Sequence, residues 1–361
     1  MKQVAVILMN LGGPNNAAAV QPFLYNLFMD DDIFKIPLKG KPRQALMRFI
    51  TTRRAKSVGE KYKVINACPQ GCLGPRTCSN RMNKVVSECC SATNPITEWQ
   101  RRDLEKRLNL DSRDTRYRVF TAMRYWYPSS GEAIEALEAG DFDELVLLPL
   151  YPQFSYTTTG SSFNEWTRQL AARSLEGRWK THMITSYHRF PTYLEAIRQR
   201  IDEGLQQFSE ADRSQVHILF SAHGTPVSFR DAGDPYSQQI EETVAAVMAL
   251  RGHDLPHWLS YQSRVGPVKW ILPNTEAFLK VLRGYGVRHL LVVPIAFVSD
   301  HIETSHEIDI EFREVAEDIG IEHFYLTQGL NDHPAFINAL AELVESRIKN
   351  PKPNPTTLYG L

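Results

Sequence analysis

The chain has 361 residues, 43% of them apolar and 23% charged, which is ordinary for a globular protein and long enough for two domains with separate cores. Lys plus Arg and Asp plus Glu both number 41, so no global field draws the chain to nucleic acid or to an anionic bilayer, and a small-molecule partner is expected. No apolar run approaches the roughly 20 residues of a spanning helix, and the opening Val4–Met9 lacks a basic leader, cleavage site or Arg-rich transit segment, so a cytoplasmic chain is expected.

Strand-like runs recur at Val4–Met9, Tyr117–Ala122, Leu145–Leu150, His182–Tyr187, His217–Ala222, Trp258–Tyr261, His289–Phe297 and His323–Leu326. They lack polar alternation, which suits parallel strands covered on both faces. Amphipathic helical stretches fall between them at Gly131–Ala139, Pro191–Phe208, Pro235–Leu250, Asn274–Arg283 and Pro334–Ile348. The alternation predicts an α/β chain of two doubly wound units joined near residues 163–180. Asn66–Thr93 holds all five cysteines and has no clear period, so it reads as an insertion. An odd cysteine count without a secretion signal argues against a disulfide framework. The closing Asn350–Pro355 cannot sustain a helix and is expected to fray.

Chemistry-bearing residues collect where strands end. After Val4–Met9 comes Asn10-Leu-Gly-Gly-Pro14, which is not a dinucleotide fingerprint, and Pro14 removes a donor. The hydroxyl-rich Tyr151–Ser162 suits an anion or plain helix capping, with nothing in the residues to choose between them. Ser221-Ala-His223-Gly-Thr-Pro226 puts a proton-exchanging or metal-binding imidazole at a strand's carboxyl end, although a lone histidine is more often structural. Arg124-Tyr125-Trp126-Tyr127, and Tyr261 to Arg264 with Trp270, offer cations and aromatics to a flat anionic ligand, or simply line a core. Ser299-Asp-His301-Ile-Glu303 opens a stretch in which a helix would align Glu303, Glu307 and Glu311. Such a row suits a divalent cation; it also reads as a solvated face, with Asp300-x-x-Glu303 as a variant capping box.

Taken together these motifs resemble the ferrochelatases, which insert ferrous iron into a porphyrin. The resemblance rests on Asn10–Pro14, Phe23–Phe28, Arg124-Tyr125, Tyr151–Ser155, Thr158–Ser162, Ser221–Pro226, Tyr261-Gln-Ser, Val265-Gly-Pro267, Ser299–Thr304 and Glu307–Glu311, in the family's order over residues 3–345. It implies the chelatase fold: two Rossmann-like domains with parallel four-stranded sheets, at 1–165 (including the insertion 66–93) and 166–349, with a tail at 350–361. A porphyrin would be gripped between them, and the reaction would be the metal-insertion step that ends haem synthesis. His223 looks like the family's catalytic histidine and Glu303 like its partner, with His301, Glu307 and Glu311 facing them. The implied porphyrin contacts are Leu11, Arg124, Tyr125, Ser155, Thr158, Ser161 and Trp270; the implied iron contacts are His223, Glu303 and Glu307.

The chain departs from the family after Tyr62, where a glycine-rich segment is usual. Tyr62-Lys-Val-Ile65 runs instead into the Cys-rich insertion, and Asn94-Pro-Ile-Thr97 resumes the pattern. Some ferrochelatases hold a 2Fe–2S cluster on four cysteines. The resemblance therefore makes Cys68, Cys72, Cys78 and Cys89 candidate ligands, against the alternative of free thiols. Phe23–Pro37 is apolar enough for a lip that takes porphyrin from the surface of an inner membrane, or for a packed helix closing the first domain. A chelatase for another metal and tetrapyrrole, and a non-catalytic metal- or redox-responsive protein on the same scaffold, remain open. Oligomeric state is not encoded in these features.

Overall fold

The computed structural model describes residues 1–65, 93–110, 112–263 and 266–355. In chain order its elements are β1 (Lys2–Asn10), α1 (Val20–Phe28), α2 (Gly40–Ile65), α3 (Thr93–Leu110), β2 (Thr115–Met123), α4 (Ser130–Glu138), β3 (Glu144–Pro149), a π-helix (Tyr156–Gly160), α5 (Ser161–Ala172) and β4 (Lys180–Met183). There follow α6 (Pro191–Leu205), β5 (Val216–His223), α7 (Val227–Asp231), α8 (Tyr236–Leu250), β6 (His257–Gln262), α9 (Thr275–Gly284), β7 (His289–Pro294), a second π-helix (Glu303–Phe312), α10 (Arg313–Asp318), β8 (His323–Leu326) and α11 (Pro334–Lys349).

The chain is α/β, with two parallel four-stranded sheets ordered β2-β1-β3-β4 and β6-β5-β7-β8. Each apolar run expected to be a strand contributes to one, although β4 starts at Lys180 and β7 stops at Pro294. In both sheets the order reverses between the first strand formed and the third. Open α/β sheets bind ligands at such a switch point, outside the carboxyl ends of the strands. Here those ends belong to β1 and β3 in one sheet and to β5 and β7 in the other.

Two compact units result: 1–150 with 155–185 and 340–361, and 151–154 with 186–339. The first therefore runs past residue 165, where the sequence suggested a boundary, because β4 pairs with β3. Its core joins Ile7 and Met9 of β1 and Leu145 and Leu147 of β3 to Ile134, Phe163 and Trp166. The second centres on Leu219, Leu290 and Val292 with Leu279, Leu282, Ile308 and Phe312.

One expectation needs correction. The tail does not simply fray, since Asn354 closes the open edge of the first sheet. Its Oδ1 accepts the Met183 N–H at 2.9 Å, and its amide donates to the Thr181 carbonyl. Within Phe23–Pro37, Phe23 and Leu24 are buried, while Leu27, Phe28, Met29, Ile33, Phe34 and Ile36 stay partly exposed, Phe28 stacking on Phe34. No helix among the described residues is long and apolar enough to cross a membrane.

Candidate functional site

The second unit assembles its polar groups where β5, β6 and β7 end. β5 delivers His223, paired in register with Gln262 of β6. Gly224 must be glycine, because a Cβ there would lie 2.7 Å from the Gln262 carbonyl and 3.4 Å from the Trp270 ring. Trp270 is fixed behind this turn by its bridge to Pro226.

His223 Nδ1 and Glu303 Oε2 are 2.8 Å apart. With the nitrogen as donor, Nε2 keeps the lone pair that can take a proton. Gln262 also donates to Oε2 at 3.3 Å, and the Ser221 hydroxyl holds the other end of that amide at 2.7 Å. Among the described residues the hydrogen bonds to Glu303 all fall on Oε2 and none on Oε1. Ser263, at φ 61°, gives its N–H and hydroxyl to the two oxygens of Glu307 at 2.9 and 2.7 Å.

Electrostatics follow from this geometry. Burial opposes a charge on His223, but the Glu303 carboxylate outweighs it and raises the pKa above 6.5. Burial likewise opposes charge on Glu303, yet the charge and hydrogen bond of His223 bring it down to about 2. Glu307 is pushed up by burial and by the neighbouring Glu303. His301 is lowered by burial; its Nδ1 lies 3.2 Å from the Ser299 carbonyl, and its ring tilts over Phe297 at 4.1 Å.

The carboxylate row lies on a π-helix, whose widened turns are frequent at functional sites. Asp300 is no capping box with Glu303. It is buried and takes hydrogen bonds from Asn331 at 2.7 Å and the Gly329 N–H at 3.1 Å, which anchors the start of the row. Glu311 lies 3.5 Å from His306. Arg264 lies outside the described residues, as do Cys68, Cys72, Cys78 and Cys89.

The first unit gathers a second set. Leu11 accepts the Tyr125 N–H at 3.0 Å, and Asn10 the Arg124 N–H at 2.8 Å. Gly12, at φ 80°, lets the loop pass Trp126, and Asn94 grips Gly13 through both its N–H (3.0 Å) and its carbonyl (2.6 Å). Arg124, Tyr125 and Ser161 converge on buried Asp30, whose Oδ2 lies 2.9, 2.6 and 2.6 Å from them. Ser155 caps the first π-helix through the Thr157 N–H at 3.2 Å, so capping accounts for it. The buried Thr158 hydroxyl has no partner among the described residues.

Sequence reading missed Asp30, Gln262, Ser263 and Phe297 as members of these clusters. Gln262 and Ser263 stood inside a quoted motif and were legible there. Asp30 was one of three consecutive aspartates, and only burial sets it apart.

A protein-family model described as Ferrochelatase matches residues 3–348. A ferrochelatase of Nostoc punctiforme is 43% identical over 356 residues, covering 97% of this chain and 84% of its own. One from Trichodesmium erythraeum is 40% identical over 356 residues, with the same shares covered. Among solved structures, SirB from Bacillus subtilis with Fe3+ aligns with 96% of this chain and 95% of its own at 12% identity and a TM-score of 0.49.

Proposed function

The chain belongs to the ferrochelatase family, lyases that insert ferrous iron into protoporphyrin IX to form haem, and we propose that His223 is the base of that reaction with Glu303 as its partner. The carrying observation is the 2.8 Å contact between His223 Nδ1 and Glu303 Oε2. A free-base porphyrin must lose two pyrrole protons as the dication enters, so charge balances only if the site accepts both. Nε2 takes one, and Glu303 stabilises the imidazolium that forms. Glu307, whose affinity for a proton is raised, is placed to take or relay the other. The free Oε1 of Glu303 and the Glu307 carboxylate are oxygen donors that bind Fe2+ and release it to the four ring nitrogens.

For porphyrin, the half-buried Trp270 beside His223 offers a face, with its indole N–H unpartnered among the described residues. In the first unit, Leu11 and Thr158 keep the porphyrin-binding role that the resemblance implies for them. Arg124, Tyr125, Ser155 and Ser161 serve chiefly to shape that region, since Asp30 and the helix cap already engage them. An anaerobic assay with protoporphyrin IX and Fe2+ tests this: His223→Ala should remain folded and form no metalloporphyrin. Formation at the wild-type rate overturns the assignment.

Beside the partly exposed apolar groups of Phe23–Pro37, α2 offers a second surface for peripheral membrane contact. Phe49 is 55% exposed and Leu46 36%, and exposed Arg48, Arg53 and Arg54 lie on the same helix. These exposed apolar side chains with basic neighbours give α2 groups that anionic lipid attracts. Phe49→Asp with Leu46→Asp should abolish co-sedimentation with anionic liposomes; undiminished binding rejects the contact. A cluster on Cys68, Cys72, Cys78 and Cys89 requires iron and acid-labile sulfide in anaerobically purified protein, and colourless protein lacking both disposes of it.

A further inference from the structure

At the opposite end of the second sheet from His223, we infer a second metal site, formed by Asp212, His289 and His323, that takes a borderline divalent ion of the Zn2+, Co2+ or Fe2+ kind. His289 and His323 open β7 and β8 and are register partners. Asp212 precedes β5, whose first residue, Val216, pairs with His289. One ligand atom from each of the three lies within 4.8 Å of the others.

The state of His289 points to a ligand. The residue is 7% exposed, its Nδ1 is buried without a hydrogen-bond partner among the described residues, and Nε2, the nitrogen that faces the carboxylate, comes only within 3.9 Å of Asp212 Oδ1. That is too long for a hydrogen bond. It is near the roughly 3.4 Å separating two ligands of one tetrahedral ion with bonds of about 2.1 Å. Asp212 is aimed as a ligand would be, because the Ser209 hydroxyl holds Oδ2 at 2.6 Å and leaves Oδ1 toward the imidazole. The two histidine rings lie nearly parallel, 5.1 Å apart, with Phe208 edge-on to both. An apolar wall of this kind limits water around an ion.

Two imidazoles and a carboxylate favour first-row transition ions over Mg2+ or Ca2+, which take oxygen ligands. The six residues of β7, at ~3.3 Å each, put the cluster roughly 20 Å from the row beyond its other end. The ion would therefore tie the segment before β5 to β7 and β8, and it would take no part in handing iron to porphyrin.

The test uses full-length, metal-stripped protein carrying His223→Ala and Glu303→Gln, titrated anaerobically with Co2+ and followed by equilibrium dialysis and histidine ring-proton NMR. With the cysteines alkylated beforehand, one class of bound Co2+ should shift the His289 and His323 signals. Asp212→Asn and His323→Gln should each weaken that class at least ~10-fold, the scale already seen for loss of a supporting residue. Excess Mg2+ should not compete. In an otherwise unaltered chain, Asp212→Asn should leave iron insertion unchanged. Equal Co2+ affinity in both variants with unmoved ring signals overturns the site, and displacement by Mg2+ overturns its assigned chemistry.

Discussion

At His223 burial favours the neutral ring and the carboxylate of Glu303 favours the cation, and the carboxylate prevails. Activity should therefore climb as pH rises through the raised pKa, because only the neutral ring accepts a proton. Glu303→Gln removes the attraction and leaves the burial, so the acid limb of the pH–rate profile should move to lower pH. Turnover should fall ~10²-fold or more, the scale of general acid–base catalysis. An unmoved limb with full activity would leave Glu303 a spectator. The same pair makes stability depend on pH. His223, raised above 6.5, contributes fully below pH 6.5 and loses its contribution as pH passes the raised value. Glu303, lowered to about 2, contributes above pH 4.5 and loses its contribution as pH falls toward 2. Thermal melts of wild type and Glu303→Gln should differ most between those limits and converge toward pH 2.

The second π-helix turns a row of like charges into a graded set. Glu303 is held low by His223, Glu307 is pushed up by Glu303 and burial, and Glu311 lies 3.5 Å from His306. Sequence spacing showed the row but not this grading, because the partners His223, Gln262 and Ser263 approach from the ends of β5 and β6. Ser263→Gly isolates one partner, since glycine accepts the φ of 61° and only the hydroxyl is lost. Glu307 should then protonate more readily, because that hydrogen bond lowers its pKa. The apparent KM for Fe2+ should rise several-fold, with porphyrin KM unchanged. Equal changes in both would mean that Ser263 supports the loop and not the carboxylate. At this scale the legible helices were those with one apolar stripe. α2 and α3 escaped notice because α2 spreads apolar and basic residues around its circumference, and α3 begins directly after the Cys-rich segment.

Across the whole molecule the strands were legible because buried parallel strands are apolar on both faces, as in β3, where every residue is buried. His223 and Glu303 were legible because the topology sends strand ends to a switch point, where motif and position coincide. Long-range closure was not. Nothing in Asn350–Pro355 announces that Asn354 satisfies β4 from 171 residues away. β4 is a four-residue edge strand, and its Met183 N–H and Thr181 carbonyl find a partner in that one side chain, which Arg347 also contacts at 3.0 Å. Removing an amide that serves both a donor and an acceptor costs about 1–3 kcal/mol if they are left unpaired. Asn354→Ala should therefore lower the urea midpoint without changing the slope of the transition. Amide exchange should quicken at Met183, while the amide of Leu219 in β5 keeps its local protection. Exchange at Met183 as slow as in wild type would show that the edge is closed by something other than Asn354.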